Sequence, residues 1–181
     1  MIGKIRLVTG DITKLQVDAI VNAANNGLWK GDGICGAIHA AAGPGLEEEC
    51  ARLGGCPVGQ AKATGSHGLA SLGIRRIIHA VGPIFMDGNR GEPDLLRSCY
   101  LSSLEIAAKE GLKSIAFPCI STGIFRYPKD QAANIAINGV VGGLAGFPSI
   151  DRVVFCCYSM EDTQLYRDVL GGLFPGVTIP G

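Results

Sequence analysis

The chain has 181 residues, 47% of them apolar, with 16 Lys plus Arg balanced by 16 Asp plus Glu. That length and apolar content exclude a disordered chain and point to one domain with a full core, while the neutral balance argues against a nucleic-acid partner held by charge, so RNA is not expected. No apolar run approaches the roughly 18 residues of a membrane span, and residues 1–7 lack the apolar block and cleavage site of a secretion signal, so a cytoplasmic protein with no membrane partner is expected.

Residues 5–9 read as a strand, and 10–13 turn into a short helix. A second strand covers 18–21. A helix over 34–42 is stopped by Gly43-Pro44-Gly45, and another short helix covers 46–53. A short strand over 61–64 precedes a strand over 75–81 that is apolar on both faces. In the next segment, 94–109, Leu95, Tyr100, Leu101, Leu104, Ala107 and Ala108 fall at helical spacing, and Gly111 follows its end. A strand over 113–117, a helix over 129–144 opened by Pro128, a strand over 152–157 and a helix over 160–170 complete the order. Pro175 and Pro180 mark a surface tail, so the expected division is one domain over 1–174 and a tail over 175–181.

Strands alternate with helices, and several strands are apolar throughout, as they are when helices cover both faces of a sheet. The expected fold is α/β: a three-layer α/β/α sandwich with a mixed, largely parallel central sheet. In such sheets ligands bind beyond the carboxyl ends of the strands, and two small-residue loops follow strand ends. The first is Asn22-Ala-Ala-Asn25 running on to Gly31-Asp32-Gly33-Ile34-Cys35-Gly36; the second is Ser121-Thr122-Gly123-Ile124-Phe125. Each opens a helix, so each can offer backbone N–H groups to a phosphate. Each also fits an ordinary helix-opening turn. The second is no Walker loop, because it lacks G-K-[ST].

Asn22 and Asn25 can bond a sugar hydroxyl pair or brace a turn. Asp11 can accept from an adenine amino group or cap the helix that follows it. Cys35 and His39 share a helix face four residues apart, which allows a nucleophilic pair or plain packing; His79 reads as a core histidine. The seven cysteines form no C-x-x-C, so no metal is expected; the odd count fits reduced thiols, most of them small core residues. Cys156 and Cys157 are adjacent and should point to opposite faces of a strand.

Together, Gly10-Asp-Ile-Thr13, Val21-Asn-Ala-Ala-Asn25, Gly36-Ala-Ile-His39 with Ala42-Gly-Pro44, His79-Ala-Val-Gly-Pro83 and Ile120-Ser-Thr-Gly123 resemble the macrodomain family over nearly the whole chain. The likeness is to the branch that removes ADP-ribose from proteins and deacetylates O-acetyl-ADP-ribose. The resemblance implies that Asp11 and Ile12 contact adenine, with Tyr158 packed nearby, and that Asn22 and Asn25 lie at the ligand, Asn25 holding the distal ribose. It implies that Gly33, Ile34 and the helix start hold one phosphate, with Gly31 and Cys35 also at the ligand. Ser121, Thr122, Gly123, Ile124 and Phe125 would wrap the diphosphate, Phe125 also covering the distal ribose. Asn25 and Cys35 would then stand at the catalytic position, with no cofactor.

Three departures from that branch matter. Asp32 interrupts its glycine run, and Cys35 stands where its catalytic Asp is expected. Arg126 also replaces a small residue, and either adds a cation near the diphosphate or points to solvent. The implied function is an ADP-ribosyl ester hydrolase acting on O-acetyl-ADP-ribose or an ADP-ribosylated protein. The alternative is a non-catalytic ADP-ribose reader. Oligomeric state is left open.

Overall fold

A computed structural model describes residues 1–180. Six strands form one sheet in the order β1-β6-β5-β2-β4-β3: β1 (Ile5–Thr9), β2 (Ala19–Ala24), β3 (Ala61–Gly65), β4 (Arg76–Val81), β5 (Ser114–Phe117) and β6 (Arg152–Cys157). All neighbours are parallel except β3, which runs antiparallel to β4 at one edge. The helices are α1 (Gly33–Ala42), α2 (Pro44–Leu53), α3 (Glu92–Lys109), α4 (Lys129–Gly143) and α5 (Met160–Leu173).

Alternation along the strands sorts the core into two layers. Val21, Ile115, Phe117, Val153 and Phe155 pack with residues of α3, α4 and α5. Ile20, Ala116, Val154 and Cys156 pack with α1 and α2. The α/β/α sandwich with a mixed, largely parallel sheet follows directly from these two faces. Cys156 and Cys157 fall on opposite faces, as strand geometry requires.

Three differences from the sequence reading have physical causes. β2 continues past Val21 to Ala24, because Asn22 stays in register with His79 and Ala24 with Val81. Residues 67–72 form a 3₁₀ helix, His67–Leu72. The expected tail lies back on the edge strand: the Leu7 N–H donates to the Pro180 carbonyl (3.3 Å), and Ile179 packs against the core. Covering an edge in this way removes a template for unwanted pairing. No helix among the described residues is long and apolar enough to cross a membrane.

Candidate active site

The parallel strands all end at the same border of the sheet, and the loops that follow β2 and β5 meet there around a cavity of about 220 Å³. Asn25, Gly31, Gly33, Ile34, Cys35, Ser121, Gly123, Ile124 and Phe125 line it together. Asp11, Ile12, Asn22, Thr122 and Tyr158 do not.

The first wall is the start of α1. Its first N–H groups have no intrahelical acceptor, and the Gly36 N–H to Asp32 carbonyl contact (3.4 Å) is the first turn to close. Gly33 sits at φ 58°, a left-handed backbone that a side chain would strain. Asp32 occupies the N-cap position yet its side chain caps nothing. Gly36 is needed for contact, since a Cβ there would lie 2.7 Å from the Gly31 carbonyl oxygen.

The second wall is the turn after β5. Ser121 and Arg126 both have positive φ, 66° and 59°. The Tyr127 N–H closes onto the Ser121 carbonyl (2.9 Å) and the Arg126 N–H onto that of Gly123 (3.0 Å). Among the described residues, the N–H groups of Ser121, Gly123, Ile124 and Phe125 find no acceptor. Successive unpaired N–H groups form a concave anion site. Thr122 turns inward instead, both its N–H and its hydroxyl donating to the Cys119 carbonyl (3.5 and 2.9 Å). Arg126 is exposed and lies outside the lining.

Gly82 and Cys119 are among the lining residues that escaped the sequence reading. Gly82 lets the second loop lie on the end of β4, because a Cβ there would be 2.1 Å from Ser121 Oγ and 2.7 Å from Ile120 Cγ2. Its signal was present in His79-Ala-Val-Gly82-Pro83. Cys119, at the base of the same loop, also lines the cavity. Phe125 is held from behind: its carbonyl accepts the Phe85 N–H (2.8 Å). The segment after Phe85 is gathered by the Glu92 carboxylate, which accepts the N–H groups of Met86, Asp87, Gly88 and Arg90. Burial works to raise the Glu92 carboxyl, and these backbone donors overrule it, holding it at about 2.

Between the walls sit Asn25 and Cys35. The Asn25 amide spans the Trp29 backbone: Nδ2 donates to the carbonyl (2.9 Å) and Oδ1 accepts the N–H (3.2 Å). One N–H and one lone pair of the amide remain for a ligand. Cys35 is 5% exposed. Its sulfur accepts from Asn22 Nδ2 (3.6 Å), and its thiol faces the Trp29 carbonyl (3.7 Å).

Four more expected residues stand off the cavity lining. Asn22 is fully buried inside β2 and donates to His79 Nδ1 (3.1 Å) as well as to Cys35, so its side chain is under the site and not in it. The Ile12 side chain is core, 2% exposed, which leaves only its backbone toward a ligand. Tyr158 is 86% exposed and is not part of the cavity lining. Asp11 does cap: Oδ1 accepts the Thr13 N–H (2.9 Å) and hydroxyl (2.7 Å), which leaves Oδ2 without a partner among the described residues.

Below the site lies a polar chain in the core. Asn22 can only donate through Nδ2, so His79 Nδ1 accepts and its proton resides on Nε2. That N–H reaches Thr64 Oγ1 (2.9 Å), whose own proton goes to the Gly65 carbonyl (3.1 Å). Burial pushes His79 down to about 4, helped by the neighbouring His39 and opposed by Glu49. His39 is also buried and shifted downward by burial, and both its ring nitrogens lack partners. It packs in the core beside His79, their rings 6.5 Å apart, and makes no bond to Cys35.

The sequence profile of the Macro domain matches residues 21–136. The chain belongs to the macrodomain family. The macrodomain is 51% identical over 173 residues to a macro domain-containing protein of Mesorhizobium japonicum, covering 96% of this chain and 97% of that one. It is 44% identical to an O-acetyl-ADP-ribose deacetylase of Escherichia fergusonii, over 94% and 97% of the two chains. Among solved structures, a Trypanosoma brucei macrodomain in complex with ADP-ribose superposes with a TM-score of 0.86 at 40% identity, over 93% of this macrodomain and 69% of that chain.

Proposed function

We propose that this macrodomain binds ADP-ribose between its two loops and hydrolyses ADP-ribosyl esters, as an O-acetyl-ADP-ribose deacetylase or a hydrolase of mono-ADP-ribosylated protein. One observation carries the reading. Two sets of unpaired backbone N–H groups, at the start of α1 and at Ser121 and Gly123 to Phe125, border one cavity, with Asn25 and Cys35 between them. A diphosphate needs two such cradles, and the deacetylase relative supports ester cleavage as the chemistry. In this reading Asp11 meets the adenine and Asn25 the distal ribose. A water, positioned by the ligand's own phosphate, attacks the acyl carbon of the ester or the anomeric carbon. The protein lowers the barrier mainly by holding the reacting groups in place. A cytoplasmic setting fits the seven free cysteines.

A second reading, a reader that binds without turnover, has its own support in Cys35. Its thiol is engaged by the Trp29 carbonyl and the Asn22 amide, and it offers no carboxylate to orient a water. The deciding experiment incubates the protein with O-acetyl-ADP-ribose and, separately, with an ADP-ribosylated protein, and measures free ADP-ribose. Release from either supports the hydrolase. Binding by calorimetry with no release from either supports the reader.

A further inference from the structure

Cys119 and Cys157 meet at the base of the cleft. Each lies two residues beyond Phe117 and Phe155, which are opposite one another on β5 and β6. Adjacent strands are about 4.8 Å apart, inside the Cα separation that a disulfide spans. Their sulfurs are already 3.7 Å apart, the Cys119 thiol donating to Cys157. Both side chains are on the α3–α5 face, Cys157 fully buried and Cys119 half-buried with a wall on the cavity. This pairing of one reachable and one sequestered thiol has no part in the proposed hydrolysis.

We propose that Cys119 and Cys157 form a reversible peroxide-sensitive disulfide site at the base of the ligand cleft. Cys119 is the attacking sulfur. Its thiolate takes one oxygen of a hydroperoxide; the O–O bond breaks, the leaving oxide gains a proton, and Cys119 becomes a sulfenic acid. The Cys157 sulfur then attacks that sulfur. The S–S bond forms, the S–O bond breaks, and the departing hydroxide takes the Cys157 proton as water. With hydrogen peroxide, two thiols supply two electrons and two waters result. The Cys157 thiol can turn to donate to the Cys119 thiolate, and this holds Cys119 below its usual range despite burial, which favours the thiolate. Burial drives Cys50, Cys99 and Cys156 the other way, to about 11, 12 and 12. Cys156 is also on the opposite face, toward the Gly10 carbonyl.

The bond would bring the sulfurs from 3.7 Å to about 2 Å. The movement acts on the residue whose carbonyl anchors Thr122, so the phosphate-side turn feels it. A cytosolic pair of this kind is a transient, sensing bond, reversed by thiol reductants.

The test treats the ligand-free protein with hydrogen peroxide, alkylates remaining thiols, and maps peptides without reduction. The expected result is loss of two of the seven free thiols, one Cys119–Cys157 cross-linked peptide pair lighter by two hydrogens, and full reversal by dithiothreitol. Cys156→Ala should keep the cross-link, and Cys157→Ala should replace it by a sulfenic acid on Cys119 that dimedone traps. The proposal is overturned if Cys119 stays reduced while other cysteines oxidise, or if the cross-link is lost in Cys156→Ala. A last arm rests on the proposed function: ADP-ribose should slow the cross-link at least tenfold by covering Cys119. Cross-linking without such protection supports the pair and counts against the ligand reading alone.

Discussion

Replacing Gly123 by Glu separates the phosphate-loop reading from a general loss of fold. A Cβ on Gly123 meets nothing within 4 Å, and the residue is not among those with positive φ. The substitution should therefore leave stability within about 0.5 kcal/mol, a change in Tm under about 2 °C for a chain of this size. Its carboxylate would stand beside the N–H groups offered to the diphosphate. A unit charge about 6 Å from each of two phosphate charges, at an effective dielectric constant near 20, costs about 3 kcal/mol per pair, or about 6 together. Screening at physiological salt roughly halves this to about 3 kcal/mol, a loss of ~100-fold from an affinity expected in the micromolar range, about −7 to −9 kcal/mol. Calorimetry with ADP-ribose on the wild type, Gly123→Glu and Gly123→Gln measures it. The neutral Gln variant should lose less than about tenfold, and the Glu deficit should shrink in high salt. Equal losses in both variants would refute the electrostatic argument; normal binding by Gly123→Glu would place the phosphates elsewhere. Gly33→Val is a poorer probe, because at φ 58° it adds roughly 1–2 kcal/mol of backbone strain.

Cys35→Ala should retain most of the wild-type turnover of O-acetyl-ADP-ribose, and Cys35→Asp should raise it by at least about tenfold by supplying a base; a dead Cys35→Ala in a steady-state assay would make the thiol the working group. Gly82→Ala should destabilise by about 1–3 kcal/mol through overpacking against Ser121 and Ile120, and adding Ser121→Gly should recover part of the loss, both read by urea unfolding; an unaffected single variant would contradict the close approach. Stability should also fall with acid. The folded His79 titrates near 4 and the unfolded residue near 6.5, so the unfolded chain binds the extra proton between those values. The contribution is whole above pH 6.5 and is lost on the way down to 4, about 2 kcal/mol of it by pH 5. Urea midpoints at pH 7.5 and 5 should show this drop, and His79→Gln should reduce it.

Much of this protein is legible in its local order. The strands follow from short apolar runs and the long helices from period-3.6 patterns, and the Gly-rich loops fall at strand ends where a parallel sheet opens. What local order cannot supply is where a side chain goes once strands are in register. Asn22 looks like a loop amide beside Asn25, yet continued pairing with β4 turns it beneath α1, onto His79 and Cys35. Ile12 and Tyr158 sit at the expected border, but packing buries one and exposes the other. Gly82 and Ser121 are 39 residues apart in the chain and become neighbours only because β4 and β5 flank β2 in the sheet. Cys119 and Cys157 meet by the same cause, through the pairing of β5 with β6. Composition and periodicity determined that this chain folds as a layered α/β domain with phosphate-ready loops; the register of its parallel strands, a contact between distant segments, decided which side chains stand at the site and which hold it from below.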